Sequence, residues 1–342
     1  MGEQVLDIVN KTREIHNVTP DNVLEHIMEA TQPIIFRDFA KNWPIVIAGK
    51  SSINDGADYI RTIYSNEPVS ACLGDPQTKG RVFYNDDMTG FNYGGGQVNL
   101  NVVLDKLIAH ADDAMPPTMY MGSTEVSRWF PKFTEENDSG ISQFNPLTSM
   151  WIGNQSKIAA HYDFPHNLAC SVIGERRFTL FPPDQIDNLY VGPMEFAPGG
   201  QDISLVDFDD PDFDKYPKFI HAIEHAQVAE LKAGDALFLP SMWWHHVAGQ
   251  NALNVLVTHW WRDTPSYMGR PNNALMAAML SIRSLPKEQR KAWQSIFNHY
   301  IFEHDNTDLN HIPKHALDVL TMPLDEVSAR KLRADLLNKL KR

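Results

Sequence analysis

The sequence predicts a mainly β protein with helical flanks: a barrel or sandwich core followed by a helical C-terminal segment. Two observations carry this. Between about Trp151 and Trp261 the chain runs as short β-prone stretches, "NLACSVIGERRFTLFPP", "HAQVAELKAGDALFLP" and "NALNVLVTHWW". They are broken by Gly, Pro and Asn and do not alternate with long helices, which argues against a βαβ layout. After Pro265 the texture turns helical.

Taken in order, "TPDNVLEHIMEA" (19–30) reads as a helix, with Thr19 as N-cap, Pro20 at the first helical position, and Val23, Ile27 and Ala30 on one face. From Pro33 onward, "PIIFRDF", "WPIVIAG", "RVFYND" and "TMYMG" read as β-prone runs. "NYGGGQ" (92–97) lacks the lysine of a phosphate-binding loop and is expected to be a flexible loop near the substrate. "DFDDPDFDK" (207–215) does not fit a calcium loop and reads as a surface insertion between barrel strands. Three helices are expected at the end, in "NNALMAAMLSIRSL", "PKEQRKAWQSIFNHYIFE" and "PLDEVSARKLRADLLNKLKR". In the last, Leu324, Val327, Leu332, Leu336 and Leu340 form an apolar stripe that covers the core or joins two copies. The domain division is thus 1–265 for the first helix and β core, and 266–342 for the helical segment.

Composition narrows the function. With 30 basic and 43 acidic residues the net charge is -13, a poor surface for phosphate backbones or anionic lipid. Neither nucleic acid nor a membrane is expected as a partner. The two cysteines, Cys72 and Cys170, form no framework, and no apolar signal core opens the chain. Gly2 is followed by Leu6 where myristoylation needs Ser or Thr. A cytoplasmic protein is the expectation.

The chemistry centres on "IAAHYDFPHNLAC" (158–170). Side chains two apart on a strand share a face, so His161 and Asp163 point the same way. Far downstream, "GDALFLPSMWWHHVAG" supplies His245 and His246. Two histidines and a carboxylate make the facial triad of non-haem Fe(II) oxygenases, and the same set suits catalytic zinc. Alone, the pair also fits a core histidine bonded to a neighbouring aspartate.

The surrounding motifs resemble the Jumonji-C oxygenases, in the cupin-like subgroup of asparaginyl hydroxylases. The resemblance spans roughly residues 30 to 265 and rests on "AAHYDFPHNLACSVIGERRFTLFPPDQIDNLY", "SLVDFDDPDFDKYPKF" and "GDALFLPSMWWHHV". Weaker likeness continues in "PIIFRDFAKNWPIVI", "PPTMYMGS" and "VLVTHWWRD". It implies a double-stranded β-helix (a jelly-roll, cupin-like core). It implies His161, Asp163 and His245 as ligands of Fe(II), with His246 structural. The implied cosubstrates are 2-oxoglutarate and O2, and the implied reaction is hydroxylation of a protein or amino-acid-like substrate, with release of succinate and CO2. Tyr120, Asn167, Arg176 and Trp260 are then the residues around 2-oxoglutarate. Arg176 stands where the family has lysine. Ile158 stands where it has a threonine that contacts the cosubstrate, so Ser156 or Thr179 is expected to replace that hydroxyl. Tyr84, Asn85 and Asp86 fall where a substrate-binding strand is expected, and the C-terminal helices are expected to form a homodimer. The rival readings are a Zn or Mn cupin enzyme without 2-oxoglutarate, and a non-catalytic binding protein.

Overall fold

The stretch Asn254–Trp261 is buried at every position but Trp260. A strand with both faces covered lies in the interior of a layered fold, and this one sits in the middle of a large sheet. In the computed structural model, which describes residues 6–194 and 196–341, fourteen strands form two sheets. In chain order they are β1 (Arg13–Ile15), β2 (Ile34–Phe36), β3 (Val69–Gly74), β4 (Arg81–Val82) and β5 (Tyr93–Val98). Next come β6 (Thr118–Glu125), β7 (Leu147–Gly153), β8 (Lys157–Tyr162), β9 (His166–Ile173) and β10 (Arg176–Phe181). The last are β11 (Gln227–Leu231), β12 (Ala236–Leu239), β13 (Trp244–Gly249) and β14 (Asn254–Trp261).

The larger sheet runs β1-β2-β12-β9-β14-β7-β6-β3-β5, and the smaller runs β11-β10-β13-β8-β4. Consecutive strands such as β8 and β9, or β13 and β14, belong to different sheets, so the chain crosses repeatedly between two facing layers. That is the jelly-roll arrangement the sequence pointed to. Apolar side chains between the sheets, Phe178, Leu180, Leu237, Val247 and Leu256 among them, close one end of the sandwich. On the outer face of the large sheet a second core packs helices against it. The chain divides into two compact units, Met1–Arg262 and Asp263–Arg342. Among the described residues no helix is long and apolar enough to cross a membrane. Residues 1–5, with the Gly2 reading, lie outside the described part.

Three expectations need correction. "WPIVIAG" is not a strand: Pro44–Ser51 is a helix opened by Pro44. Ile45 and Val46 are fully buried, which stabilises by about 1.5–3 kcal/mol each. That outweighs a helix penalty for β-branched residues of under about 1 kcal/mol. Gly49 allows the close approach, since a Cβ there would lie 2.6 Å from Ile173 Cγ1. The first helix covers only Val23–Ile27. Asn22 Oδ1 accepts the Thr19 N–H at 2.8 Å, and this local bond holds 19–22 in a turn that displaces the expected cap. "NYGGGQ" is the edge strand β5, made by its ladder to β3 and not by its own propensity. The acidic run 207–215 does lie outside regular structure, between β10 and β11. Its Asp207 pairs with Arg81 at 3.1 Å and Asp209 with Lys157 at 2.5 Å.

The helices of the second unit form at Pro271–Ser281, Lys287–Phe297 and Glu326–Leu340. The apolar stripe of the last is largely exposed, with Val327, Leu336 and Leu340 open to solvent.

Candidate metal centre

β8 and β13 are antiparallel neighbours, and their register sets His161 directly opposite His245. The two imidazole centroids are 4.2 Å apart. Asp163 follows β8 on the same face as His161, and its Oδ2 lies 3.7 Å from His245 Nε2. The ligand atoms of the three residues all fall within 4.8 Å of one another.

Hydrogen bonding fixes which imidazole nitrogen is available. His161 Nδ1 donates to the Ala159 carbonyl at 2.9 Å, and His245 Nδ1 donates to the Trp243 carbonyl at 3.0 Å. Each ring spends its N–H on the residue two places earlier in the chain, so both Nε2 lone pairs are left for a ligand. Burial, and then the neighbouring His161, pull the His245 pKa well below the usual imidazole range, with Asp163 opposing them. The ring is therefore neutral near pH 7, the form that binds metal. A register shift between His245 and Val247 interrupts the ladder. His246 faces the opposite side of the sheet, where it stacks on Phe208 at 4.6 Å.

The three residues open into a cavity of about 490 Å³. Tyr120, Asn167, Arg176 and Trp260, all named from the sequence, line the same cavity, as does Ile158. Asn167 and Trp260 face one another across β9 and β14. Three buried polar atoms there have no hydrogen-bond partner: Asn167 Oδ1, Arg176 Nε and Trp260 Nε1. Arg176 is 3% exposed, and no carboxylate among the described residues pairs with it. Burial pulls its pKa down to about 10. Burial also pushes the Tyr120 phenol up, with the Arg176 charge opposing it. Arg177, one residue on, faces out and pairs with Glu230 at 2.9 Å.

The two candidates for the missing hydroxyl do not fit. Thr179 is three places from Arg176 on β10, so it faces the opposite side and lines a different cavity with His246. Ser156 is buried but outside the metal cavity's wall. Tyr84, Asn85 and Asp86, expected on a substrate-binding strand, lie outside this wall and shortly after β4, whose Val82 lines it. Tyr84 donates to the Phe196 carbonyl, and Asn85 Oδ1 accepts the Gly90 N–H at 3.0 Å within its own hairpin. Sequence reasoning missed Trp151, Thr258 and Gln201, which all line the cavity. Thr258 was within reach, because it precedes Trp260 by two places on one strand and must share its face.

The donor set, two imidazoles and one carboxylate, fits a divalent transition metal with positions left open. The unpaired guanidinium fits the far carboxylate of a dicarboxylate, since a buried charge without a counter-ion is costly.

Known proteins are similar in the same region. A family model described as a cupin-like domain matches residues 20–267. The lysine-specific demethylase JMJ31 of Arabidopsis thaliana is 25% identical over 326 residues, which is 85% of this chain and 54% of that protein. The tRNA wybutosine-synthesizing protein 5 of Mus musculus is 33% identical over 140 residues, 40% of this chain and 39% of its own. Jumonji C domain-containing protein 5 of Drosophila melanogaster is 34% identical over 112 residues, 32% of this chain and 26% of its own. The chain spans about half the length, or less, of these curated relatives.

Proposed function

The chain belongs to the family of cupin-like domains, and on that footing we propose that it is an Fe(II)- and 2-oxoglutarate-dependent oxygenase. One observation carries the reading: a buried, unpaired Arg176 shares a cavity with the His161, Asp163 and His245 donor set. A zinc or manganese cupin enzyme without 2-oxoglutarate has no use for that guanidinium.

In this account His161, Asp163 and His245 hold the iron. Arg176 and the Tyr120 hydroxyl hold the far carboxylate of 2-oxoglutarate, and the Trp260 and Asn167 side chains close the cavity around it. Bound iron supplies the coupling of 2-oxoglutarate decarboxylation, with O2, to hydroxylation of a substrate C–H bond. The chain's own part is to orient and to keep water out. Phe178, Leu256 and Val247 form an apolar wall in which the Arg176 charge is poorly screened and its hold on a carboxylate is strengthened. Ile158, in the same wall, offers no hydroxyl.

The substrate we propose is a polypeptide or an amino-acid-like molecule. A net charge of -13 favours a neutral or basic one. Among the similar proteins one is named for demethylation of lysine and another for wybutosine synthesis in tRNA. Both cysteines are free thiols, consistent with a cytoplasmic setting.

The test is conversion of 2-oxoglutarate to succinate with Fe(II) and O2, read by mass spectrometry. Succinate is expected from the wild type and absent from His161→Ala and Arg176→Ala. Conversion unaffected by either variant, or no conversion alongside tight Zn binding, would overturn the proposal.

We further propose that residues 263–342 join two copies of the chain. Among their described residues only Ala329 is a buried hydrophobic, while Leu280, Trp293, Phe302, Leu336 and Leu340 are exposed. Helices that bury so little have no core of their own, and a two-fold pairing of like faces supplies one. Sedimentation is expected to give a dimer for the full chain and a shift to monomer with Leu336→Glu/Leu340→Glu. A wild-type monomer at all concentrations contradicts it.

A further inference from the structure

The carboxylate of Asp163 has two oxygens, and the structure gives them different partners. Oδ2 faces His245 Nε2 at 3.7 Å. Oδ1 accepts a hydrogen bond from Gln201 Nε2 at 3.1 Å. The amide orientation follows from chemistry, because an ionised carboxylate only accepts and so must meet the NH2 end.

Gln201 is held in place from both sides. Its segment is clamped on one flank by the Phe196 ring, stacked 4.8 Å from Phe91. The Tyr93 hydroxyl adds a donor to the Pro198 carbonyl at 3.2 Å. On the other flank Ile203 forms a bridge to His161, and the Ser204 N–H donates to the Ala160 carbonyl at 2.7 Å. Gly200, at φ +81°, makes the turn between the two anchors. One short segment thus touches β8, the strand that bears His161, and places an amide on the Asp163 carboxylate itself.

A carboxylate with both oxygens free can take two positions on a metal. With Oδ1 committed to Gln201, only Oδ2 is presented, and the open positions that 2-oxoglutarate and O2 require are preserved. We infer that Gln201 is a positioning residue that makes Asp163 a one-oxygen ligand. The inference rests on the proposed metal centre and goes beyond it.

The test uses Co(II) as probe on the full chain, followed by visible absorption, without turnover. Gln201→Met keeps size and removes the donor. Gln201→Glu keeps size and sets a second anion against Asp163. Outer-shell partners typically govern metal affinity by about 10- to 100-fold. Gln201→Met is expected to weaken Co(II) binding by that range and to change the band shape as the freed oxygen enters the coordination sphere. Gln201→Glu is expected not to rescue it. The unfolding midpoint without metal should match the wild type for Gln201→Met, which separates positioning from a merely structural role. If both variants bind Co(II) within about twofold of wild type with an unchanged spectrum, while His161→Ala does not bind, the inference fails and the metal centre stands. If His161→Ala binds like wild type, the metal reading itself fails and the role of Gln201 falls with it.

Discussion

Replacing Arg176 with methionine is expected to stabilise the ligand-free protein by about 1–4 kcal/mol, the gain that buried ion pairs give when well-packed apolar residues replace them, since here too a desolvation cost is removed. The same change is expected to abolish its response to 2-oxoglutarate. The guanidinium is 3% exposed, has an orphaned Nε, and meets no carboxylate among the described residues. Its depressed pKa, about 10, expresses the same cost. Without a dicarboxylate the charge is a burden to the fold; with one it becomes half of an ion pair. Methionine fills the space beside Phe178 and Val247 and carries no charge. Urea unfolding with and without 2-oxoglutarate, in the presence of Mn(II), checks both parts. The wild type should gain about 2.7 kcal/mol at a ligand concentration a hundredfold above its dissociation constant, and Arg176→Met should gain nothing. A variant that is less stable yet still responds to 2-oxoglutarate would mean that Arg176 serves packing.

The second large effect concerns the ligand triad. Mn(II) at a hundredfold excess over its dissociation constant should add about 2.7 kcal/mol to wild-type stability, and Asp163→Ala should remove that gain. The two Nε2 atoms are already turned inward by the Nδ1 bonds to Ala159 and Trp243, so binding needs little rearrangement of the rings. Asp163 supplies the only carboxylate of the three, and without it two imidazoles remain. Thermal unfolding with and without metal provides the measurement. Equal metal-induced shifts in wild type and variant would contradict the site.

Much of this was legible in the sequence where a local period carried it. His161 and Asp163 share a face because strand side chains alternate, and the same rule separates Arg176 from Arg177. Applied to Thr179, it would have excluded that residue, since three places on β10 lead to the other face. The family likeness brought together Tyr120, Asn167, Arg176 and Trp260, which no local pattern connects, and the structure lines one cavity with all four. Elements decided by tertiary contact were not legible. Pro44–Ser51 carries β-branched residues yet is a helix, because burial outweighs propensity. β5 carries three glycines yet is a strand, because β3 supplies its partner. Gln201 was invisible for a related reason: it lies 38 residues from Asp163, on a segment without periodicity, and only the fold brings them within a hydrogen bond.

The most direct test of the oxygenase reading is an anaerobic titration with Fe(II) and then 2-oxoglutarate, watching for the visible metal-to-ligand charge-transfer band. A band is expected that appears only when both are present and is lost in His161→Ala and in Arg176→Ala. A protein that shows no band, or one whose band survives both substitutions, would contradict it.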